Sequence, residues 1–355
     1  MVGFVASSQI EVPGGVSPSA EKVTPSKKLV PFVLKEFYKG VSWVGGRRSV
    51  DNGALDHARK VGIEWISISP FGWMDNQNTP EVRLNRNARL WNESDNGVST
   101  TARAAHESGI KVMLKPHIWL IRPIDNGWIG EITFDTEEKW QKWEESYRRF
   151  ILHYARVAEA ENIEILCIAT ELSTPVSYRQ KFWKGIVKEI RQAYSGELTY
   201  AANWWRDYDQ TDLWADLDYI GVNAYFPLTD KVNPSVEELM AGWRPHLRKI
   251  EELVQIYEKP VLFTEIGYKN IKGAAIKPWE WPRQVDSPRI DPSEQVNAYE
   301  ALFLTFGQRE WFRGIFIWKW FSKEDRISSD RVAFSPQNKQ AEEVLKKWYT
   351  FGGAR

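Results

Sequence analysis

Along the chain, short apolar or β-branched runs alternate with longer stretches whose apolar residues recur every three or four positions. The first pattern predicts buried strands and the second amphipathic helices, and their alternation predicts parallel strands joined by helices. Strands are expected near Phe37–Trp43, Ile63–Ser69, Ile110–Lys115, Ile163–Thr170, Leu198–Asn203, Tyr219–Ala224, Val261–Glu265 and Gly314–Trp318. The clearest helix spans about Glu137 to Ala160, with Trp140, Trp143, Tyr147, Phe150, Tyr154 and Val157 on one face. Another runs from about Tyr178 to Tyr194 and buries Phe182, Ile186 and Ile190. Gly62, Gly109 and Gly196 read as the glycines that follow helix ends.

Connection lengths are lopsided. Helix-to-strand links such as Val61-Gly62, Ser108-Gly109 and Lys259-Pro260 are short, whereas Pro70–Gly97, Trp119–Thr136 and Tyr268–Ser293 follow strands and are long. A single (β/α)₈ barrel gathers long strand-to-helix loops around its active end and keeps the opposite end for stability. Residues 34–355 are therefore expected to form one such barrel, an α/β fold, behind a Pro-, Gly- and Ser-rich, poorly ordered tail at 1–33. An open doubly wound sheet would need a Gly-rich phosphate turn, and Gly45-Gly46-Arg47-Arg48 lacks its spacing.

Charge narrows the partners. Lys and Arg number 47, as do Asp and Glu, so the formal net charge is zero. That balance argues against nucleic acid, which a basic surface must attract, and against an anionic membrane surface. No run approaches the roughly 18 apolar residues of a membrane span. Met1–Ala6 lacks the basic start and apolar length of a secretion signal. Localisation stays open between cytoplasmic and, had a signal been removed, secreted or periplasmic. One cysteine, Cys167, excludes an intrachain disulfide or a Cys-based zinc site, and five His leave little for a metal centre. No Gly-x-Ser-x-Gly elbow or phosphate-binding Gly-Lys loop occurs. The acidic run Asp207–Asp212 lacks calcium-loop spacing and reads as a solvated helix start.

The chemistry rests on two strands that end in glutamate: Ile165–Glu171, the fourth, and Pro260–Glu265, the seventh. By strand alternation Glu171 shares a side with Cys167 and Ala169, and Glu265 with Val261 and Phe263. Two carboxyls roughly 5 Å apart form the machinery of retaining glycoside hydrolysis. Lys115, His117 and Trp119 share a side at the end of the third strand, where Lys115 needs a cleft or a carboxylate partner. Asn203-Trp204-Trp205 combines an amide with aromatic surface, as pyranose recognition requires. Of 19 Trp, Trp73, Trp91, Trp128, Trp279 and Trp281 fall in long loops suited to lining a groove, while Trp140 and Trp143 read as packing. Trp318 and Trp320 share a side of the eighth strand, and one is expected to floor the sugar site.

The segments Thr170–Ser173, Phe263–Tyr268, Phe316–Trp320, Lys115–Trp119 and Gly221–Tyr225 together resemble glycoside hydrolase family 113, over about Tyr38 to Trp348. The resemblance implies a retaining endo-β-1,4-mannanase with Glu171 as acid/base and Glu265 as nucleophile, and without metal or cofactor. It also implies that Tyr225 hydrogen-bonds the nucleophile. Many members of the clan carry Asn before the acid/base to hold the sugar 2-hydroxyl; Thr170 stands there, leaving Thr170, Asn203 or Asn223 for that contact. The expected partner is a neutral polysaccharide or oligosaccharide, β-mannan first. The alternatives are another β-glycan, glucan or galactan, and a carbohydrate-binding barrel without catalysis.

Overall fold

The computed structural model describes residues 37–350 apart from 48, 51–52, 85–90, 283–284, 286–288 and 323–330. The tail expected at 1–33 lies outside the described residues. Among them, the strands are β1 (Tyr38–Val44), β2 (Trp65–Ile68), β3 (Phe71–Met74), β4 (Arg83–Leu84), β5 (Lys111–Leu114), β6 (His117–Leu120), β7 (Ile165–Thr170), β8 (Glu197–Asn203), β9 (Ile220–Asn223), β10 (Val261–Ile266) and β11 (Phe312–Phe321). The helices are α1 (Asp56–Val61), α2 (Asp95–Glu107), α3 (Glu137–Ala160), α4 (Ser173–Tyr178), α5 (Gln180–Ala193), α6 (Val236–Tyr257), α7 (Pro292–Phe306) and α8 (Gln340–Thr350).

Eight strands close into a barrel in the order β1-β11-β10-β9-β8-β7-β5-β2, and these are the eight read from the sequence. Every pair around the ring is parallel. Trp65, Met113, Ile165, Tyr219, Leu262 and Phe316 fill the interior, so it is a packed core and not a pore. Outside, α3 buries Trp140, Trp143, Tyr147, Phe150 and Tyr154. Thr136 starts that helix by accepting the Lys139 amide, and Glu137 and Glu138 lie at the positive end of its dipole.

Two of the long loops are not irregular. β3, β4 and β6 form a small separate sheet in the order β4-β3-β6, on the connections that follow β2 and β5. Period-two patterns of only two to four residues are too short to stand out in the sequence. The third barrel strand consequently stops at Leu114. Lys115 does not continue into a shared face with His117 and Trp119, which belong to β6. Gly62 and Gly109 adopt left-handed φ angles of 87° and 71° after α1 and α2. Gly196 is required for another reason: a Cβ there would lie 2.2 Å from the Tyr194 hydroxyl. No helix among the described residues is long and apolar enough to cross a membrane.

Candidate active site

β7 and β10 carry their glutamates to the same mouth of the barrel, and each strand is bulged just before it delivers the side chain. Along β10, Phe263 faces Val222 of β9 but Glu265 faces Asn223, so β10 holds an extra residue there. Val261 and Phe263 point outward; Phe263 stacks on Trp243 of α6 at 5.9 Å. Strict alternation would turn Glu265 into the same helix layer, contrary to the mouth position it occupies. The bulge redirects it. In β7 the register slips in the same way between Cys167, opposite Thr199, and Thr170, opposite Ala201. Glu171 then takes a left-handed φ of 51°, uncommon for a residue with a side chain and concentrated at functional sites. Its amide is held by the Ala201 carbonyl at 2.8 Å.

The two carboxyls have opposite surroundings. Glu265 accepts from Lys115 Nζ at 2.5 Å on Oε2 and from Tyr225 Oη at 2.5 Å on Oε1. Lys115 is only 1% exposed, so this is a buried ion pair, the partner its position demanded. Glu171 is 3% exposed and accepts from Asn203 Nδ2 at 3.1 Å. Burial, and next the charge of Glu265, push its carboxyl up to about 8; hydrogen bonding from Asn223 and the Lys115 cation pull the other way. One carboxyl is thus a proton holder at neutral pH, and the other sits against a cation and a phenol.

Behind Glu171 lies support that the sequence did not reveal. Asp207 is fully buried, accepts the Asn203 amide at 2.6 Å on Oδ1 and is hydrogen-bonded by Tyr200 Oη on Oδ2. The reading of this segment as a solvated helix start is corrected at Asp207, although a short 3-10 helix, Leu213–Asp216, does begin after the half-exposed Asp212. Residues 204–210 form turns, and burial pushes Asp207 up to about 7. An Asp four positions after Asn203 is the only sequence trace of this bracing. Thr170 is buried and donates to the Pro116 carbonyl at 3.3 Å, so its hydroxyl is engaged with backbone. Asn223 Oδ1 accepts from Thr264 at 3.0 Å. Asn203 and Asn223 therefore present amides around Glu171, whereas Thr170 turns to the third-strand loop.

His117 donates through Nδ1 to the Ile118 carbonyl at 2.8 Å, and burial pulls its imidazole down to about 4. It is neutral at ordinary pH. Trp119 lies 5.8 Å from Trp73 across the small sheet. On the opposite rim, Trp204 stacks on Trp279 at 5.0 Å and Trp281 meets Trp318 edge-on at 6.4 Å. The Trp318 ring lies 6.0 Å from Lys115 Nζ, next to Glu265. Trp320 does not share this side. Between Val41–Ile317 and Trp43–Trp320 the β1–β11 register slips by one, and Trp320 is buried against His57 of α1. It is packing, as are Trp140 and Trp143, and Trp128 is buried rather than groove-lining.

The sequence model of Glycoside Hydrolase Family 113 matches residues 47–339. The family 113 β-mannanase AaManA from Alicyclobacillus acidocaldarius, solved in complex with ManMIm, is 25% identical with a TM-score of 0.76, over 90% of this chain and 99% of that one. A second family 113 β-1,4-mannanase structure is 26% identical with a TM-score of 0.76, over 90% of this chain and all 100% of the other. A β-D-glucuronidase from Dictyoglomus thermophilum, 16% identical with a TM-score of 0.59, shares the fold over 89% of this chain and 50% of its own. No curated protein matches by sequence.

Proposed function

From the premise that the chain belongs to glycoside hydrolase family 113 and is a glycoside hydrolase, we propose that it cleaves β-1,4-mannosidic linkages with retention of anomeric configuration. The contrast between the two carboxyls carries this reading. Double displacement needs one carboxyl that donates a proton and one that attacks carbon. Glu171, buried and pushed up to about 8, suits the donor. Glu265, aligned by Lys115 and Tyr225, suits the nucleophile.

In the first step a Glu265 oxygen bonds to the anomeric carbon while Glu171 protonates the departing glycosidic oxygen, leaving a glycosyl ester on Glu265. Glu171, now ionised, takes a proton from water as that water attacks the same carbon, and Glu265 leaves as carboxylate. Loss of the Glu265 charge on esterification removes an influence that raises Glu171, while Lys115 continues to lower it. The change favours the base role in the second step. Trp318, beside this pair, provides an apolar face for the sugar. The likeness to family 113 β-mannanases over nearly their full length supports mannan as the substrate.

The pH profile of a Glu171→Ala variant tests the assignment. Glu171 must be protonated for the first step, so wild-type kcat/KM should fall as pH rises through about 8. The variant should lose that limb and drop about 10³-fold on mannan, the order of general-acid catalysis, yet still be glycosylated by aryl mannosides with good leaving groups. A basic limb that survives the substitution would remove Glu171 from the acid role. Faster cleavage of glucan or galactan than mannan would overturn the substrate.

A further inference from the structure

We infer that Lys269 is a positioning residue that fixes the Trp279–Trp281 rim of the groove and thereby sets affinity for long glycans. The inference rests on the glycan reading above. Lys269 lies four residues beyond Glu265 and is 1% exposed. Its ammonium donates to the Lys277 and Glu280 carbonyls at 3.0 Å each and to Pro278 at 3.4 Å. An ammonium has three protons, and three backbone carbonyls of one loop receive them.

The base from which Lys269 reaches is secured on both sides. The Gln295 side chain donates to the Tyr268 carbonyl at 2.8 Å and to Phe334 at 2.9 Å. Asn270 accepts the Ala333 amide at 2.7 Å and donates to the Arg331 carbonyl at 3.2 Å. Lys269 Nζ also lies over the Phe334 ring, 5.1 Å from its centre. A charge in so buried a place is costly unless each proton finds an acceptor, so the loop and the lysine constrain one another.

What this holds in place is aromatic. Trp279 stacks on Trp204, which adjoins Asn203 and so the Glu171 side of the mouth. Trp281 touches Trp318 and Phe334, on the Glu265 side. The loop that carries these two indoles is the one gripped by Lys269, at Lys277, Pro278 and Glu280. Releasing it would loosen the Trp204–Trp279 stack while leaving Lys115, Tyr225, Asn203 and the two carboxyls in contact. The expected signature is a change in KM for substrates long enough to reach the rim, not in kcat.

Mannohexaose and an aryl mannoside with an activated leaving group separate the cases. Lys269→Met preserves stem volume but supplies no donors. It and Trp279→Ala should each raise KM for the hexaose about tenfold, the scale of a lost aromatic platform, with kcat within about twofold. The aryl mannoside should be unaffected by either. Because both act on one stack, the double variant should be no worse than the poorer single. Lys269→Arg, which keeps donors for the carbonyls, should hold KM within about threefold. Additive effects, or equal losses on both substrates, would overturn the positioning role. Amide hydrogen exchange needs no substrate: faster exchange at Lys277 and at Trp279, Glu280 and Trp281 in Lys269→Met supports the grip, and unchanged exchange contradicts it. If wild-type enzyme turns over neither substrate while exchange still responds, the glycan reading fails and the anchoring stands.

Discussion

Replacing Glu265 by Ala should abolish mannan hydrolysis by about 10⁴-fold or more, the scale of losing an enzymic nucleophile. Added azide should then restore turnover of an activated aryl mannoside and yield the α-mannosyl azide. The stereochemistry follows from the site: with the carboxylate gone, a small anion enters the space beside Lys115 and Tyr225 and attacks once, inverting the centre. A β-azide would report two displacements and move Glu265 to the acid/base role. Recovery with no glycosyl azide formed would remove it from the reaction.

The second large effect is expected at Lys115. Lys115→Met leaves Glu265 with only Tyr225 of its two hydrogen-bond donors in a largely enclosed site. Breaking one side of a buried pair is expensive, about 3–5 kcal/mol, because the remaining charge loses its compensation. We expect kcat/KM to fall about 10²–10³-fold, comparable to deleting a preorganised donor at a reacting oxygen. The pH profile should also move. Lys115 pulls Glu171 down, so its removal raises that carboxyl, and the basic limb should shift above its wild-type position near 8. A shift to lower pH would contradict this electrostatic account. An unmoved limb with the same loss of rate would reduce Lys115 to packing. Lys115→Arg should not restore activity, since a planar guanidinium does not fit a site closed around an ammonium.

The barrel was legible because its signals are local and repeated. Eight apolar runs bounded by short returns on one side and long loops on the other leave few topologies, and the closed ring uses those eight runs. The positions of Glu171 and Glu265 at strand ends were equally plain. Their aim was not. Alternation would have turned Glu265 to the helix layer with Phe263, and only a one-residue slip against β9 brings it to the mouth. A bulge is set by pairing with another strand, and nothing in the local pattern announces it. The same cause misplaced Trp320, whose strand slips against β1. Asp207 and Lys269 were hidden for a related reason. An isolated charge in a loop reads as solvated, and its burial depends on carbonyls, amides and a phenol supplied by tertiary contacts. Lys115 was legible halfway: its need for a partner followed from an apolar strand, but the partner lies 150 residues away.

Trapping the covalent intermediate addresses the central claim most directly. Incubation with 2-deoxy-2-fluoro-β-mannosyl fluoride, followed by peptide mass mapping, should find one fluoromannosyl group esterified to Glu265, in wild-type enzyme and absent from Glu265→Ala. A label on Glu171 or any other residue, or rapid inverting turnover with no adduct, would contradict an attack by Glu265 across a shared sugar ring from Glu171.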